Sequence, residues 1–396
     1  MKQSRKFGFP ESNLTGMPTH DYGQETTFYQ QLQSHLGLDL RDKRGKKHCL
    51  AFILLGLTIG LLRKRDGKLS SIHRSMVNTN LSLCNFLNIE QQEVVSRPHL
   101  PRVLPKVNLA VFEQLLFNYY GLELSDEEKQ WFAGDGKELR GSIEKGDKRG
   151  EALVQLVRHD DRNVLGQGRY NGTKESEKPC LQGLLLKTGA VGQKITADAL
   201  HLCPATTEPI AQAGGIFLIG LKENQKELLE DMAKHASCFK AVDQDVTVEK
   251  GHGRLEQRAY FHYDVSTEYF EARWAKSNFQ SLFKVERKRL NLKTGQQSDE
   301  VAYYISNGSA ENEEGYFAAI RNHWAVEVSN HIRDVSLQED QLRTKKKPVT
   351  QLMASLRTLV IKLLGLDKPK SIVAQLEFFQ DNFSALMQWL RKINFL

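Results

Sequence analysis

Three acids stand out in this sequence as groups that could do chemistry together. Asp135 lies in "GDGKELRG", at or just beyond the end of a strand expected to begin at Trp131, and Asp198 lies in "KITADALH", at the end of another. Glu327 lies in "RNHWAVEVSNHIRDV". Read as helix, that stretch sets Trp324, Glu327, His331 and Asp334 at steps of three, four and three, on one stripe. An aromatic, two carboxylates and an imidazole make neither an apolar packing face nor a plain ion-pair ladder. Taken singly, an Asp beside Gly is usually a turn residue and a helical Glu an exposed charge. Two aspartates that meet are different, because each raises the other's pKa unless a cation lies between them. Magnesium accepts such hard oxygen ligands and keeps positions for water and phosphate. A third carboxylate would complete a two-metal site for phosphodiester displacement.

The elements around these acids decide whether they meet. Residues 1–27 mix Gly, Pro, Ser, Thr and Asn without periodicity and read as a mobile arm. Helical patterns fill 28–127, among them "CLAFILLGLTIGLL" (49–62), which is too short to cross a bilayer and suits a buried helix. From Trp131 come three short strand-like segments separated by turns. A helix follows, with Ser176 as its expected cap and Gly189 as its stop, and then strand, helix, strand, and a helix capped by Asn224. The order βββαβαβα is that of an α/β, ribonuclease H-like core. In such a sheet the first and fourth strands are neighbours, which brings Asp135 to Asp198. The core is expected over 128–246 and 307–342, with a β-rich insertion at 247–306. Residues 343–396 read as a basic linker and two amphipathic helices.

Charge points to a polyanion. The chain of 396 residues carries a formal +7 at pH 7, and between Asp39 and Arg74 ten Lys/Arg face three Asp. Lys43, Arg44, Lys46 and Lys47 belong to that cluster, and Lys345, Lys346 and Lys347 form a second one. Both fit contact with phosphates. On a strand, His252, Arg254, Glu256 and Arg258 would share one face, with Arg254 and Arg258 suited to phosphate. Five cysteines, odd in number and without a CxxC pair, fit a reduced intracellular location. No signal-type apolar core opens the chain, and a membrane role is not expected. Two weaker signals are set aside. "GQGRYNG" (166–172) lacks the helix a phosphate loop requires, and "HLC" with "HASC" lacks finger spacing for zinc.

"GDGKELRGS", "KITADALH", "GGIFLIGLKENQ", "GHGRLEQR", "YYIS" and "RNHWAVEVSNHIRDVSLQED" occur in the order seen in bacterial insertion-sequence transposases of the H-repeat-associated, ISAs type, which this chain resembles. "LDLRDKRGKKHCLAFILLGLTIG" and "SRPHLPRVL" resemble that family's amino-terminal associated domain, so the likeness covers nearly all of the chain beyond its first 30 residues. It implies a DDE transposase with Asp135, Asp198 and Glu327 as metal-binding triad and two Mg²⁺ (or Mn²⁺) ions as cofactor. Relatives carry a slightly longer run before the "DV" pair. Here Asp334 follows Glu327 by seven residues, on the same helical face, and is either support for the site or the rival third acid. The implied activity is cleavage at the element ends and strand transfer into target DNA, by a homo-oligomer on DNA in the bacterial cytoplasm and nucleoid. A nuclease on the same core, or a domesticated DNA-binding protein with a relic triad, are the alternatives.

Overall fold

A computed structural model describes residues 26–63, 66–251, 253–266, 270–309 and 315–396. The arm expected at 1–27 lies outside the described residues except for Thr26 and Thr27, and His252 lies outside them altogether.

Five helices open the described chain: α1 (Phe28–Ser34), α2 (Leu50–Arg63), α3 (Leu69–Leu87), α4 (Leu100–Val103) and α5 (Leu109–Tyr119). Thr27 starts α1 with a capping box shared with Gln30. The apolar run has no polar stripe, so α2 must be enclosed, and it is buried from Leu50 to Leu62. Its glycines let α3 come close: a Cβ on Gly60 would stand 2.7 Å from Ile72 Cγ2.

Next come β1 (Trp131–Glu138), β2 (Ala152–Arg158), β3 (Val164–Tyr170), α6 (Lys174–Thr188), β4 (Lys194–Ala197), α7 (Pro204–Gln212), β5 (Ile216–Leu221) and α8 (Lys226–Cys238). This is the element order read from the sequence. Two caps differ. Thr173 rather than Ser176 caps α6, its hydroxyl accepting from Ser176 N, while Gly189 ends the helix at φ 73° as expected. Helix α8 begins after Gln225, and Asn224 instead donates its side-chain amide to Ala199 O at 2.7 Å. The strands β6 (Asp243–Gly251), β7 (Arg254–Asp264), β8 (Ser281–Asn291) and β9 (Gln297–Ser306) follow.

All the strands form one mixed nine-stranded sheet, in the order β3-β2-β1-β4-β5-β9-β8-β7-β6. β1 runs antiparallel to β2 and parallel to β4, and β4 runs parallel to β5. β9 returns antiparallel to β5, pairing Leu218 with Ser306 through Leu221 with Tyr303. The β-rich segment is therefore an extension of the central sheet. It begins at Asp243, before the expected 247, because β6 is a solvent-exposed edge whose charged residues give no alternation.

Helices α9 (Tyr316–Asn322) and α10 (Trp324–His331) follow, joined at His323, and α10 runs into a π-helical turn at Ile332–Ser336. The chain finishes with α11 (Lys347–Asp367), α12 (Ile372–Asp381) and α13 (Phe383–Lys392). The last expected helix is split at Asn382, whose side chain bonds back to Phe378 O at 3.0 Å. Nor is α11 amphipathic: it is buried almost from end to end, Arg357 and Lys362 included. By length and composition it is the one described helix able to span a membrane, and most of it is enclosed in the protein. It shares a single apolar core with α2, α5, α12 and α13, so the helices at the two ends of the sequence pack as one body against the sheet.

Candidate active site

Parallel pairing of β1 with β4 puts Trp131 opposite Lys194 and Gly134 opposite Ala197. The next residue on each chain is an aspartate, so Asp135 and Asp198 lie level on neighbouring strands. Asp198 directly follows β4, but Asp135 is not at or beyond the end of its strand as expected: it lies within β1 opposite Gln155, because β1 goes on pairing with β2 as far as Glu138. Both glycines around Asp135 are needed by the helix above. A Cβ on Gly134 would stand 2.9 Å from Leu181 Cδ1, and one on Gly136 would stand 2.5 Å from the Glu177 carboxylate and the Tyr170 hydroxyl. Helix α6 thus lies close over β1 and delivers Glu177 beside Asp135. Burial first, then the Asp198 charge, pushes the Asp135 carboxyl up to about 7, with Glu177 adding to the effect.

Asp198 caps a tight turn over Ala199–His201, accepting from Leu200 N at 3.0 Å. The turn is pinned by the Asn224 contact to Ala199 and by His201, which is fully buried. His201 Nε2 stands 3.4 Å from Glu177 Oε1 and 3.9 Å from Asp198 Oδ1. Neither ring nitrogen of His201 has a well-formed hydrogen bond among the described residues. Burial would raise the Glu177 carboxyl, but His201 and the Tyr170 hydroxyl, which donates to Oε2 at 2.9 Å, hold it below the usual range.

Thr196, two residues before Asp198, ties the helical junction to the sheet. Its hydroxyl lies 2.9 Å from both His159 Nε2 and His323 Nδ1. Burial keeps both imidazoles neutral, His159 down to about 3 and His323 down to about 4. Ala325 and Val326 pack on Ala133, Val157 and Val164 of β1, β2 and β3. The other face of α10, with Trp324, Glu327 and His331, is exposed. The stripe read from the sequence is open there, with Trp324 56% exposed. Partial burial raises the Glu327 carboxyl. Asp334 leaves the stripe because the π-helical turn adds a residue to the helical repeat. It is held by Lys137 of β1 in an ion pair, and does not line the cleft described next.

Asp198, Glu327, His323 and Trp324 open onto a cleft of about 1620 Å³. Its far wall is arginine. On one sheet face Glu249 of β6, Glu256 of β7 and Arg289 of β8 are cross-strand neighbours, and so are Arg258, Arg287 and Glu300. Glu256 is 4% exposed and holds Arg258 in an ion pair, with Arg289 at 3.1 Å, Arg254 at 3.6 Å and Arg287 at 4.0 Å. Glu249 bridges Arg258 at 3.4 Å and Arg321 of α9 at 2.8 Å. Five arginines thus face three glutamates, a positive excess on the wall. Arg254 and Arg258 share a face with Glu256 as expected, and Arg287, Arg289 and Arg321 join them. The alternation in "VERKRLN" was the available signal for the first two.

The two basic clusters lie away from this cleft. Lys43 and Arg44 are exposed in a turn, Lys46 is 3.8 Å from Asp39, and Lys47 is 2.6 Å from Glu93. Lys345 is exposed, Lys346 donates to Pro101 O at 3.2 Å, and Lys347, already in α11, is 2.9 Å from Glu151. The glycines of "GQGRYNG" serve packing: a Cβ on Gly168 would stand 2.6 Å from Cys180 Sγ. All five cysteines are free. Among the described residues no group of three or more His, Cys, Asp and Glu side chains forms a ready metal cage. What β1 and the turn after β4 provide is a pair of aspartates whose mutual repulsion a hard divalent cation would relieve, a donor set that fits magnesium.

A mixed α/β chain with two aspartates paired across neighbouring strands and an arginine-walled cleft has clear relatives. The sequence is 28% identical over 284 residues, 68% of this chain and 73% of the relative, to "H repeat-associated putative transposase YhhI" of Escherichia coli (strain K12). It matches "Putative protein YbfL" of the same strain with the same identity and coverage. "Putative transposase YncI" of Escherichia coli O157:H7 is 26% identical, over 67% of this chain and 69% of the relative. No family model matches. A solved sugar N-methyltransferase from Streptoalloteichus aligns over 33% of this chain with 13% identity and a TM-score of 0.14, too low to bear on the fold. Over about two thirds of its length the chain is thus similar to proteins named as putative transposases, one of them H repeat-associated.

Proposed function

We propose that this chain is a DNA transposase of the DDE type, working on a ribonuclease H-like core formed by β1 to β5 and their helices. The observation that carries the reading is the β1–β4 register, which sets Asp135 beside Asp198, and Asp198 opens onto an arginine-walled cleft. Asp135 and Asp198 would hold magnesium, with Glu327 reaching the same cleft from α10. Glu327 is favoured over Asp334 as third acid because it lines the cleft while Asp334 is engaged by Lys137. Two Mg²⁺ ions, when bound, supply charge neutralisation at the scissile phosphate and lower the cost of ionising the attacking oxygen.

The chain's own groups do the rest. Arg254, Arg258, Arg287 and Arg289 bind and orient the DNA backbone. Trp324, exposed beside Glu327, offers a base a stacking surface. In the first reaction a water oxygen displaces the 3′ oxygen at the element end, and in the second that 3′-hydroxyl displaces one in target DNA. Lys43, Arg44, Lys46, Lys47, Lys345, Lys346 and Lys347 give the helical body further backbone contacts away from the cleft. A homo-oligomer would hold two element ends on bacterial chromosomal DNA.

Strand cleavage by Asp135→Asn, Asp198→Asn and Glu327→Gln tests the triad. Each is expected to lose about a hundredfold or more, since several kcal/mol of charge stabilisation is removed. Full activity in any one of them removes that residue from the assignment, and Asp334→Asn alone being inactive would transfer the role to Asp334. Cleavage without joining of pre-cut ends would make the chain a nuclease.

A further inference from the structure

His201 is a buried polar group in search of a reason. It is fully enclosed, yet neither ring nitrogen makes a well-formed hydrogen bond among the described residues. An ordinary core histidine in this protein looks different: His262, also buried, places Nε2 2.8 Å from the Ser281 hydroxyl. The place of His201 is specific. Its Nε2 lies between two carboxylates, 3.4 Å from Glu177 Oε1 and 3.9 Å from Asp198 Oδ1, and it closes the turn that Asp198 opens, donating its backbone N–H to Asp198 O at 3.1 Å.

Glu177 is itself fixed. Its other oxygen accepts from the Tyr170 hydroxyl, and the absence of a side chain on Gly136 is what lets both of them reach β1. Strand β3, helix α6 and the turn after β4 thus supply one member each to a chain of contacts, Tyr170 to Glu177 to His201, that ends at Asp198. Asp198 has little else to define it, since its carboxylate is 46% exposed and makes one backbone contact, to Leu200 N.

We propose that His201, braced by Glu177 and Tyr170, is a positioning residue that aims the Asp198 carboxylate at the cation it shares with Asp135. The inference rests on the reading of Asp135 and Asp198 as metal ligands. The group touching the carboxylate is Nε2, so the end of the ring should matter more than its bulk. Gln places an amide near the position of Nε2, whereas the amide of Asn stops near Nδ1.

Mn²⁺ binding to the full chain without DNA, followed by titration calorimetry, separates the possibilities. Wild type is expected to bind and Asp198→Asn to lose binding. His201→Asn should weaken Mn²⁺ about tenfold or more and His201→Gln about threefold or less, as for groups that orient a ligand without touching the metal. Wild-type affinity in His201→Asn, or equal losses in the Asn and Gln variants, overturns the proposal while leaving the metal reading intact. No Mn²⁺ binding by wild type, or none lost in Asp198→Asn, overturns the metal reading and the proposal with it. If His201→Asn does not fold, Tyr170→Phe deletes a single hydroxyl from the same chain of contacts, and an unchanged Mn²⁺ affinity there overturns the proposal as well.

Discussion

Arginine and glutamate meet in two parts of this molecule with opposite outcomes. Beneath α11, Arg333 forks onto Glu339 with contacts of 2.8 and 2.9 Å, and Arg357 approaches the same carboxylate at 3.9 Å. All three are closed off from water. Burial would raise the Glu339 carboxyl, but the two guanidiniums hold it down, and burial in turn lowers Arg357 to about 10. On β7 and β8 the carboxylate of Glu256 is equally buried, but its guanidiniums reach a cleft, Arg254 being 52% and Arg289 35% exposed. The first group fastens α11 to the turn after α10, with Arg333 also bonding Thr358 and Ala354 O. The second keeps spare positive charge facing outward. What separates a sealed ion cluster from an open one here is whether water, and therefore any ligand, can reach the cations.

The largest expected effect comes from removing the central acid of each group. Glu339→Gln leaves two buried guanidiniums uncompensated and should cost about 3–5 kcal/mol of stability. Glu256→Gln should cost less than about 2 kcal/mol, since solvent reaches the partners it leaves behind, and should tighten DNA binding. Urea denaturation of both variants decides it, and equal losses would break the distinction. A middle-sized effect concerns salt. The Arg287→Ala/Arg289→Ala pair should lower the slope of log affinity against log salt by ~0.9 for each phosphate that is no longer neutralised. Arg333→Ala should leave that slope unchanged while lowering the melting temperature, and a changed slope would place the inner cluster on DNA.

A last effect concerns an acid with no arginine beside it. Asp135 titrates at about 7 in the folded chain against an ordinary value of 3.8. Between those values the folded state keeps a proton that the unfolded chain has released, so stability falls as pH rises through the window and levels off above it. The melting temperature of wild type relative to Asp135→Asn should therefore decline from pH 4 to pH 7 in metal-free buffer. A constant difference across that range would mean that Asp135 is not held in this way.

The strand order and the two aspartates were legible because each depends on local pattern. Short strands between turns gave the elements, and the register of β1 with β4 brings the two acids together, although Asp135 lies inside β1, which runs on past the "GDG" read as its end, and only Asp198 follows a strand end. Glu177 and His201 were not legible for opposite reasons. "TKESEKP" reads as a solvated charge run until α6 is laid over Gly136, and His201 looked like a stray metal ligand paired with Cys203. The stripe from Trp324 to Asp334 was half legible: three of its members share a face, and the fourth is turned away by a π-helical turn whose cause is tertiary. Arg287 and Arg289 carried the same period-two signal as Arg254 and Arg258. They gain meaning only when β7 and β8 are set in register.

The enclosure of α2 and α11 in one core has a consequence for how the chain is made. During synthesis α2 emerges roughly 280 residues before α11, the helix that covers it. Its apolar surface must wait, uncovered or held by other partners, while the whole sheet is produced, and a long interval of that kind favours aggregation over folding. A nascent chain halted just before Lys347 should therefore be a poor folder and a good chaperone client, although it already contains Asp135, Asp198 and Glu327. Only once Lys347–Asp367 has docked over α2 is the helical core closed behind the paired acids and the arginine wall.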